Sequence, residues 1–301
     1  MDSTKFDLKR PALYVVGTPI GNLADFSSRA QHVLSAVDFI LAEDTRKSQH
    51  LLDRYGIKNK MIIYHDHLET SKSSTVIKRM LDDSAALALI SDSGTPLISD
   101  PGYKLVKGVA DVGIPLIPVP GPSALVACLS ISDLPIDRFV FEGFLPSKEG
   151  HRLRRLAELK NESRSTVFYE APHRIVSFLQ GIERVMGSDR RIIVARELTK
   201  MFETTYRGSV SDVLKKIQAA SKNTKGEFTI IVAGSPGRAK ELEMQIDAWL
   251  KVLLEEVDIK TAVKMVCRMT DFKRNMVYER ALSLSGKIVF EKNKNKKQNN
   301  T

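Results

Sequence analysis

The sequence predicts an α/β protein with two sheet-containing domains and a small helical module after them. Three observations support this prediction. Through residue 134, short apolar runs alternate with segments of helical spacing, a pattern typical of a mostly parallel sheet covered by helices. From residue 138, strands follow one another more often, which predicts a mixed sheet. After residue 237 the pattern is almost wholly helical.

The predicted first domain spans residues 11–134 and alternates strands with helices. Apolar, β-forming runs place its strands at 13–16, 38–42, 61–64, 85–90 and 114–119. Helical spacing places three of its helices at 27–37, at about 73–82 and at 101–110. Two further helices are predicted to end at 55 and at about 131. Gly56 and Gly113 end the second and fourth helices. Asp100 is predicted to cap the fourth helix, with Pro101 as its first residue.

The predicted second domain spans residues 138–235, after a link near Leu134-Pro135. Its strands are expected at 139–144, 166–169, 191–195, 203–207 and 228–233. Its helices are expected at 148–160, from 172 onward and at 210–220. The helical module, 240–285, breaks near residue 270 and resembles a helix-turn-helix, although a helical cap packed on the body has the same spacing. The basic tail, 286–301, is expected to be disordered.

The composition indicates a globular chain with a polyanionic partner. Lys and Arg number 46 against 36 Asp and Glu, a formal net charge of +10 that favours nucleic acid as a partner. The two cysteines, Cys128 and Cys267, lie in apolar surroundings, so we expect neither a disulfide framework nor a thiolate metal site. Four prolines interrupt the longest weakly charged run, 113–131, and the N-terminus is polar. We therefore expect a soluble cytoplasmic protein.

Three strand-end loops are rich in Gly, Pro and small polar residues: 17–22, 91–102 and 120–124. Open α/β sheets bind ligands at the carboxyl ends of their strands, so we expect these loops to meet in one crevice. None has the spacing of a dinucleotide fingerprint or a phosphate loop, which argues against NAD and ATP. A ligand with little phosphate and many polar edges suits such backbone-rich loops better.

Five motifs occur in one order along the chain: Gly17-Thr18-Pro19-Ile20-Gly21-Asn22, Ala42-Glu43-Asp44-Thr45-Arg46, Ser91 to Gly102, Pro120-Gly121-Pro122-Ser123-Ala124 and Phe141-Glu142-Gly143-Phe144-Leu145-Pro146. Together they resemble the tetrapyrrole methylase superfamily over about residues 12–235. Tetrapyrrole-specific members tend to carry Gly-Asp-Pro in the loop that corresponds to 91–96. The Ser-Asp-Ser-Gly-Thr-Pro found here resembles the branch that methylates ribosomal RNA.

The resemblance implies an enzyme that binds S-adenosylmethionine in the cleft between two α/β domains, usually as a homodimer. It implies 2′-O-methylation of a cytidine in the decoding region of 16S rRNA, with free rRNA or the 30S subunit as partner. No membrane partner is expected. The positions that match the family's cofactor loops are Gly17, Thr18, Pro19, Ser91, Asp92, Gly94, Thr95, Pro96, Pro120, Gly121, Pro122 and Ser123.

A ribose hydroxyl is a poor nucleophile, so a base near its oxygen would help the transfer of a sulfonium methyl group. The candidates are Glu43, Asp44, His65, Glu170 and Glu197. We favour Asp44 together with Arg46, because an acid beside a base on one loop can orient a ribose and hold a phosphate. For each carboxylate a helix cap or a surface ion pair remains the alternative.

Basic side chains give candidate RNA contacts at Arg46, Arg152, Arg155, Arg174, Lys273 and Arg274. A merely solvated helix face is the alternative for the charge run of the 148–160 helix. His65-Asp66-His67 has the alternation of a metal site, yet no third ligand is placed by the sequence, and we expect no metal. Two other functions remain open: methylation of a tetrapyrrole or another small acceptor, and non-catalytic binding to the ribosome.

Overall fold

The computed structural model describes residues 7–64, 69–219, 226–235, 237–270 and 272–285, without the side chains of 69–72 and 237–245. The chain divides into two compact units. The first comprises residues 1–160 and 164–233, and contains two five-stranded sheets. The second comprises residues 161–163 and 234–301. Among the described residues, no helix is long and apolar enough to cross a membrane.

The first sheet is parallel throughout and has the strand order β3-β2-β4-β1-β5. Its strands are β1 (Ala12–Val16), β2 (Phe39–Ala42), β3 (Met61–Ile63), β4 (Ala86–Ile90) and β5 (Leu116–Val119). β4 is central and every one of its residues is buried, as expected for a strand covered on both faces. Alternate residues of β1 enter different cores: Tyr14 packs in one cluster and Leu13 in another.

Five α-helices accompany this sheet: α1 (Ser28–Ala36), α2 (Thr45–Arg54), α3 (Glu69–Asp82), α4 (Tyr103–Asp111) and α5 (Ala124–Ser130). Ser27 and Asp44 cap α1 and α2, with side-chain oxygens that accept from the backbone amides of Ala30 and Arg46. The parallel sheet predicted from the alternation of strands and helices is confirmed. Several boundaries differ by a few residues; α3, for example, begins at Glu69 rather than near residue 73.

The prediction that Asp100 caps a helix is wrong. α4 begins at Tyr103, and its N-cap is Gly102 with a φ of 128°. Leu97 and Ser99 also have positive φ, 71° and 69°, so the chain before α4 is a folded loop rather than a helix start. The side chain of Asp100 is therefore not committed to the helix terminus.

The second sheet is mixed, as predicted, and has the order β6-β7-β10-β8-β9. Its strands are β6 (Phe139–Phe144), β7 (Ser165–Glu170), β8 (Arg191–Arg196), β9 (Thr204–Ser209) and β10 (Phe228–Val232). Only β6 and β7 pair in parallel. The helices of this part are α6 (Glu149–Glu158), α7 (Ile175–Met186) and α8 (Val210–Ala219), which bury one face of the sheet in a shared core.

The opposite face of the second sheet packs against the first part of the chain. Val167, Ile193 and Ile231 share a buried cluster with Cys128 of α5 and with Ile20, which follows β1. α5 therefore lies between the two sheets. Because α5 follows the strand-end loop 120–124, this packing brings the carboxyl edge of the first sheet beside the second sheet.

The C-terminal unit contains three helices: α9 (Gly237–Glu256), α10 (Ile259–Met269) and α11 (274–285). Its core consists of apolar side chains from all three: Ile246, Leu250, Ala262, Val263, Val266, Val277 and Ala281. Arg280 of α11 donates two hydrogen bonds to the carboxylate of Asp247 on α9, at 2.8 and 2.7 Å. Helices are thus present over the expected module 240–285, which includes most of the long helix α9. The tail 286–301 lies outside the described residues.

The close approach of Gly17 to Gly121 gives the first testable prediction. A Cβ built on Gly17 would lie 2.8 Å from the Cα of Gly121, closer than real Cβ atoms come to other atoms. We expect Gly17→Ala to lower the free energy of unfolding by about 1–3 kcal/mol, because backbone cannot yield as a side chain can. Chemical denaturation measures the change.

Gly150→Ala is the matched control, because no atom lies within 4 Å of an added Cβ on this residue of α6. Alanine is the better helix former, so we expect a gain of up to about 1 kcal/mol. Equal stability of Gly17→Ala and the wild type would show that the two loops are far enough apart to accept a Cβ at residue 17.

Candidate active site

The loops after β1 and β4 are joined through their backbones. The amide of Thr18 donates to the carbonyl of Gly94 at 2.8 Å, and the amide of Gly94 donates back to the carbonyl of Thr18 at 3.2 Å. The buried hydroxyl of Thr18 lies 3.3 Å from the carbonyl oxygens of both Ser91 and Gly94. Reciprocal bonds of this kind fix the spacing of two loops without help from exposed side chains.

The loop after β5 joins the same assembly. The hydroxyl of Thr95 donates to the carbonyl of Pro122 at 3.0 Å, and the amide of Gly17 donates to the carbonyl of Val119 at 3.1 Å. Together with the contact between Gly17 and Gly121, these bonds bring the three predicted loops to one edge of the sheet. The structure therefore places them together, as the sequence led us to expect.

A cavity of about 330 Å³ lies between this edge and the second sheet. Its wall on the first side includes Gly94, Thr95 and Ser123 from the predicted cofactor positions, with Ser93 and Asp100. The remaining predicted positions support these loops without lining the cavity: Gly17, Thr18, Pro19, Ser91, Asp92, Pro96, Pro120, Gly121 and Pro122.

The second sheet supplies the facing wall. Phe144 ends β6, Tyr169 and Glu170 end β7, and Phe228 begins β10; all four line the cavity. The hydroxyl of Tyr169 accepts a hydrogen bond of 3.0 Å from the amide of Leu125 at the start of α5. This bond ties the two walls together. The Phe144 ring packs against that of Tyr169, with centroids 5.6 Å apart, yet Phe144 is 55% exposed.

Glu170 is almost completely buried, with 1% of its surface exposed. Its Oε1 accepts a hydrogen bond from the amide of Ala171 at 2.8 Å and lies 3.1 Å from Nε of Arg174. Its Oε2 has no hydrogen-bond partner among the described residues. Burial raises the pKa of Glu170, an effect opposed by the Ala171 amide and by the nearby charges of Arg174 and Arg152. An orphaned buried oxygen in a cavity wall is suited to accept a donor from a ligand.

Asp100 is the acidic residue of the cavity that the sequence assigned to another role. Burial raises the pKa of Asp100 to about 6, and the negative charges of Glu43, Asp92 and Glu227 add to the rise, while a hydrogen bond with Ser91 opposes it. The sequence did contain a signal for Asp100, since it is a second acidic residue in the same strand-end loop as Asp92. It was missed because Asp-Pro before a helical pattern so often marks a helix start.

The favoured base, Asp44, is engaged as a helix cap. Its side chain accepts a hydrogen bond of 2.8 Å from the amide of Arg46, which lowers its pKa. Its own amide donates to Oδ1 of Asp92 at 3.0 Å. None of Asp44, Glu43 and Arg46 is among the described residues that line the cavity. That Asp44 accepts the proton remains a prediction, and the structure shows that its side chain caps α2.

Glu197 and the histidine pair of 65–67 are the remaining candidates for the base and for the metal site. Oε1 of Glu197 accepts hydrogen bonds of 2.9 Å from the ammonium of Lys200 and from the amide of Glu227, so this carboxylate is occupied by internal contacts. Lys200 itself lines the cavity, a role that the sequence did not indicate. Residues 65–67, and with them the histidine pair, lie outside the described residues. No cluster of metal-ligating side chains occurs in the described part of the chain.

Three of the six predicted RNA contacts are committed to internal partners. Arg152 is buried, with its guanidinium 3.0 Å from the carbonyl of Ser147. Arg155 donates two hydrogen bonds to Glu142, at 2.8 and 2.7 Å. Arg174 donates to the carbonyl of Leu145 at 2.8 Å, besides its contact with Glu170. In contrast, Arg46, Lys273 and Arg274 are exposed.

Comparison with known proteins identifies the class of protein that has these two sheets and this cavity. Residues 12–214 match the family of tetrapyrrole (corrin/porphyrin) methylases, and the chain belongs to this family. Residues 240–285 match the RsmI C-terminal HTH domain. Diphthine synthase has a similar fold, with a TM-score of 0.58 at 13% identity over 74% of this chain and 90% of that chain. So does a cobalt precorrin-4 methyltransferase, with a TM-score of 0.54 at 16% identity over 74% and 95%. Similarity at this level of identity concerns the fold alone.

Sequence similarity is much stronger to ribosomal RNA small subunit methyltransferase I. The chain is 40% identical to the protein of that name from Escherichia coli O157:H7, over 93% of this chain and 98% of the relative. It is 45% identical to the one from Xylella fastidiosa (strain Temecula1), over 88% and 97%, and 42% identical to the one from Pseudomonas aeruginosa, over 91% and 98%. The similarity extends through both sheets and the helical module.

The contacts of Asp92 give a second prediction. Its carboxylate accepts from the amide of Asp44 and, at 2.8 Å, from the ammonium of Lys47, so it joins the loop after β4 to the start of α2. We expect Asp92→Ala to lower the free energy of unfolding by about 1–2 kcal/mol, because the partly buried amide of Asp44 loses its partner.

Lys47→Ala separates this backbone contact from the ion pair. The Lys47 side chain is 67% exposed, so we expect a change of at most about 0.5 kcal/mol. Both variants are compared by chemical denaturation. An equal loss in the two variants would mean that the ion pair, not the bond to the backbone amide, holds the loops together.

Proposed function

We propose that this chain transfers the methyl group of S-adenosylmethionine to the 2′-hydroxyl of a cytidine in the decoding region of small-subunit ribosomal RNA. The cavity between the two sheets, bordered by three loops at the carboxyl edge of the first, carries the proposal. Similarity to relatives whose name states a small-subunit rRNA acceptor supports the choice of RNA. The cytidine and its 2′-hydroxyl follow from the family resemblance of the motifs.

The residues of the cavity fit this cofactor. A volume of about 330 Å³ is within the range of small-molecule sites. Ile20, Leu198 and Phe228 provide apolar wall, while Glu170 provides a carboxyl group that complements a cationic ligand. Because Oε2 of Glu170 has no hydrogen-bond partner in the part of the chain that the structure describes, we propose that it accepts a hydrogen bond from the hydroxyl or amino groups of the cofactor. We propose that the backbone of 17–19, 91–96 and 120–123 forms the other side of the site.

When bound, the cofactor supplies an electrophilic methyl group on a sulfonium centre. The task of the chain is then to hold the acceptor oxygen in line with that methyl group, since positioning accounts for a large part of the rate of such a transfer. The two walls are suited to this task because Tyr169, through its bond to the amide of Leu125, fixes one wall against the other.

We propose Arg46, Lys273 and Arg274 as contacts to RNA phosphates. Arg46 lies in the first turn of α2, Lys273 immediately precedes α11, and Arg274 is the first residue of α11. Their exposure suits phosphate contacts, whereas the internal bonds of Arg152, Arg155 and Arg174 suit a structural role. The proposed place of action is the cytoplasm. The proposed homodimer is tested by the molar mass from light scattering.

A methyl-transfer assay tests the function. Full-length protein and tritiated S-adenosylmethionine are incubated separately with 30S subunits, free 16S rRNA and a porphyrinogen. We expect label in the 16S rRNA, and nuclease digestion to release one labelled 2′-O-methylcytidine. If only the porphyrinogen is labelled, the methyl acceptor is a small molecule and not rRNA. Binding to 30S subunits with no transfer to any acceptor and no cofactor affinity would indicate a non-catalytic binding factor.

A further inference from the structure

Asp100 is held in the cavity wall by a loop that both sheets constrain. Leu97 and Ser99 have positive φ, which non-glycine residues adopt only where the surrounding structure imposes it, often at functional sites. Gly143, which follows the bulge in β6, lies against Ser99, since a Cβ on this glycine would be 2.8 Å from the Ser99 hydroxyl oxygen. The loop thus rests on the second sheet while its base remains attached to β4 of the first.

The charged groups around Asp100 come from both sides of the cavity. Glu43 and Asp92 follow strands of the first sheet, and Glu227 precedes β10; all three repel its negative charge. Tyr169 of β7 faces it as a neutral phenol, whose pKa burial raises. Among the described residues, no cation lies within ion-pair distance of Asp100.

Lys200, which lines the cavity, and Arg174, which contacts Glu170, are already paired with other acids. The ammonium of Lys200 lies 2.9 Å from Oε1 of Glu197 and 3.4 Å from Oε2 of Glu227. Arg174 lies against Glu170. Asp100 therefore has the Ser91 hydroxyl as a hydrogen-bond partner but no cation against it among the described residues, so its carboxyl group can exchange a proton with a ligand in the cavity. The carboxylate of Asp44, in contrast, caps a helix, and that of Glu170 is paired with Arg174.

We propose that Asp100 is the general base that accepts the proton of the attacking ribose hydroxyl, an inference that rests on the proposed function. The hydroxyl oxygen forms a bond to the methyl carbon as the bond from that carbon to sulfur breaks, and the bonding pair remains on sulfur as the sulfonium becomes a neutral thioether. The hydroxyl proton passes to the carboxylate of Asp100 and from there to solvent. No further reactant is needed.

The environment of Asp100 suits this role. A general base works best when its pKa is near the working pH, and burial among like charges holds that of Asp100 at about 6. At neutral pH the group is mostly the carboxylate and is more basic than an ordinary aspartate. The transfer rate is therefore expected to rise as the pH increases through about 6 and then to level off.

The test compares wild type, Asp100→Asn and Asp100→Glu in single-turnover transfer to 30S subunits across that pH range. We expect Asp100→Asn to be slower by roughly 10²–10³-fold, to lose the inflection near pH 6, and to bind S-adenosylmethionine within about threefold of wild type. Asp100→Glu is expected to recover part of the rate, because it restores a carboxylate. Asp111→Asn is the matched control, an exposed acid at the end of α4.

A readout without turnover accompanies the assay. In protein labelled with ¹³C at the aspartate carboxyl carbons, we expect one signal that titrates near pH 6 and is absent from Asp100→Asn. An unchanged rate and pH profile in Asp100→Asn would overturn the proposal. A loss of cofactor affinity as large as the loss of rate would also overturn it, because Asp100 would then be a counter-charge for the sulfonium. Absence of transfer by the wild type to both 30S subunits and free 16S rRNA would instead refute the proposed function itself.

Discussion

The contact between the backbones of Gly17 and Gly121 is the constraint on which the rest of the site depends. Neither position has room for a Cβ, so the loops after β1 and β5 approach more closely than side chains would allow. The paired bonds between Thr18 and Gly94 then fix the loop after β4 to the same edge. Because these contacts are made by backbone and by the hydroxyls of Thr18 and Thr95, the exposed edge of the loops remains available to a ligand.

The second sheet converts this edge into an enclosed site. α5 follows the third loop and packs on the face of the second sheet, so the position of that sheet is coupled to the position of the loop. The walls that result are chemically unequal: one consists mainly of backbone and small hydroxyls, the other of aromatic rings and the buried carboxyl of Glu170. This inequality suits a ligand with one polar, hydrogen-bonding side and one apolar side, and the acids of the cavity favour a positive charge within it.

The sequence predicted the parallel and mixed sheets and the meeting of the three loops, because apolar periodicity and strand-end glycines are local signals. It did not predict that Asp100 would line the cavity, because Leu97 and Ser99 adopt left-handed conformations and Ser99 packs against Gly143 of β6, far away in the chain. Nor did it predict that Arg152 and Arg155 would bond to partners within the chain, since a charge run has the same pattern whether its partners are phosphates or the carbonyl of Ser147 and the carboxylate of Glu142. Tertiary contacts decide such cases.

Hydrogen exchange of the full chain, with and without S-adenosylmethionine, tests most directly whether the three loops form the cofactor site. We predict slower exchange in peptides that cover residues 17–22, 91–102 and 120–124, and no change at the opposite end of the first sheet. That end has a larger groove, of about 740 Å³, lined in part by 57–60 and Asp83. Protection confined to the groove, or no protection of the loops at saturating cofactor, would contradict the account.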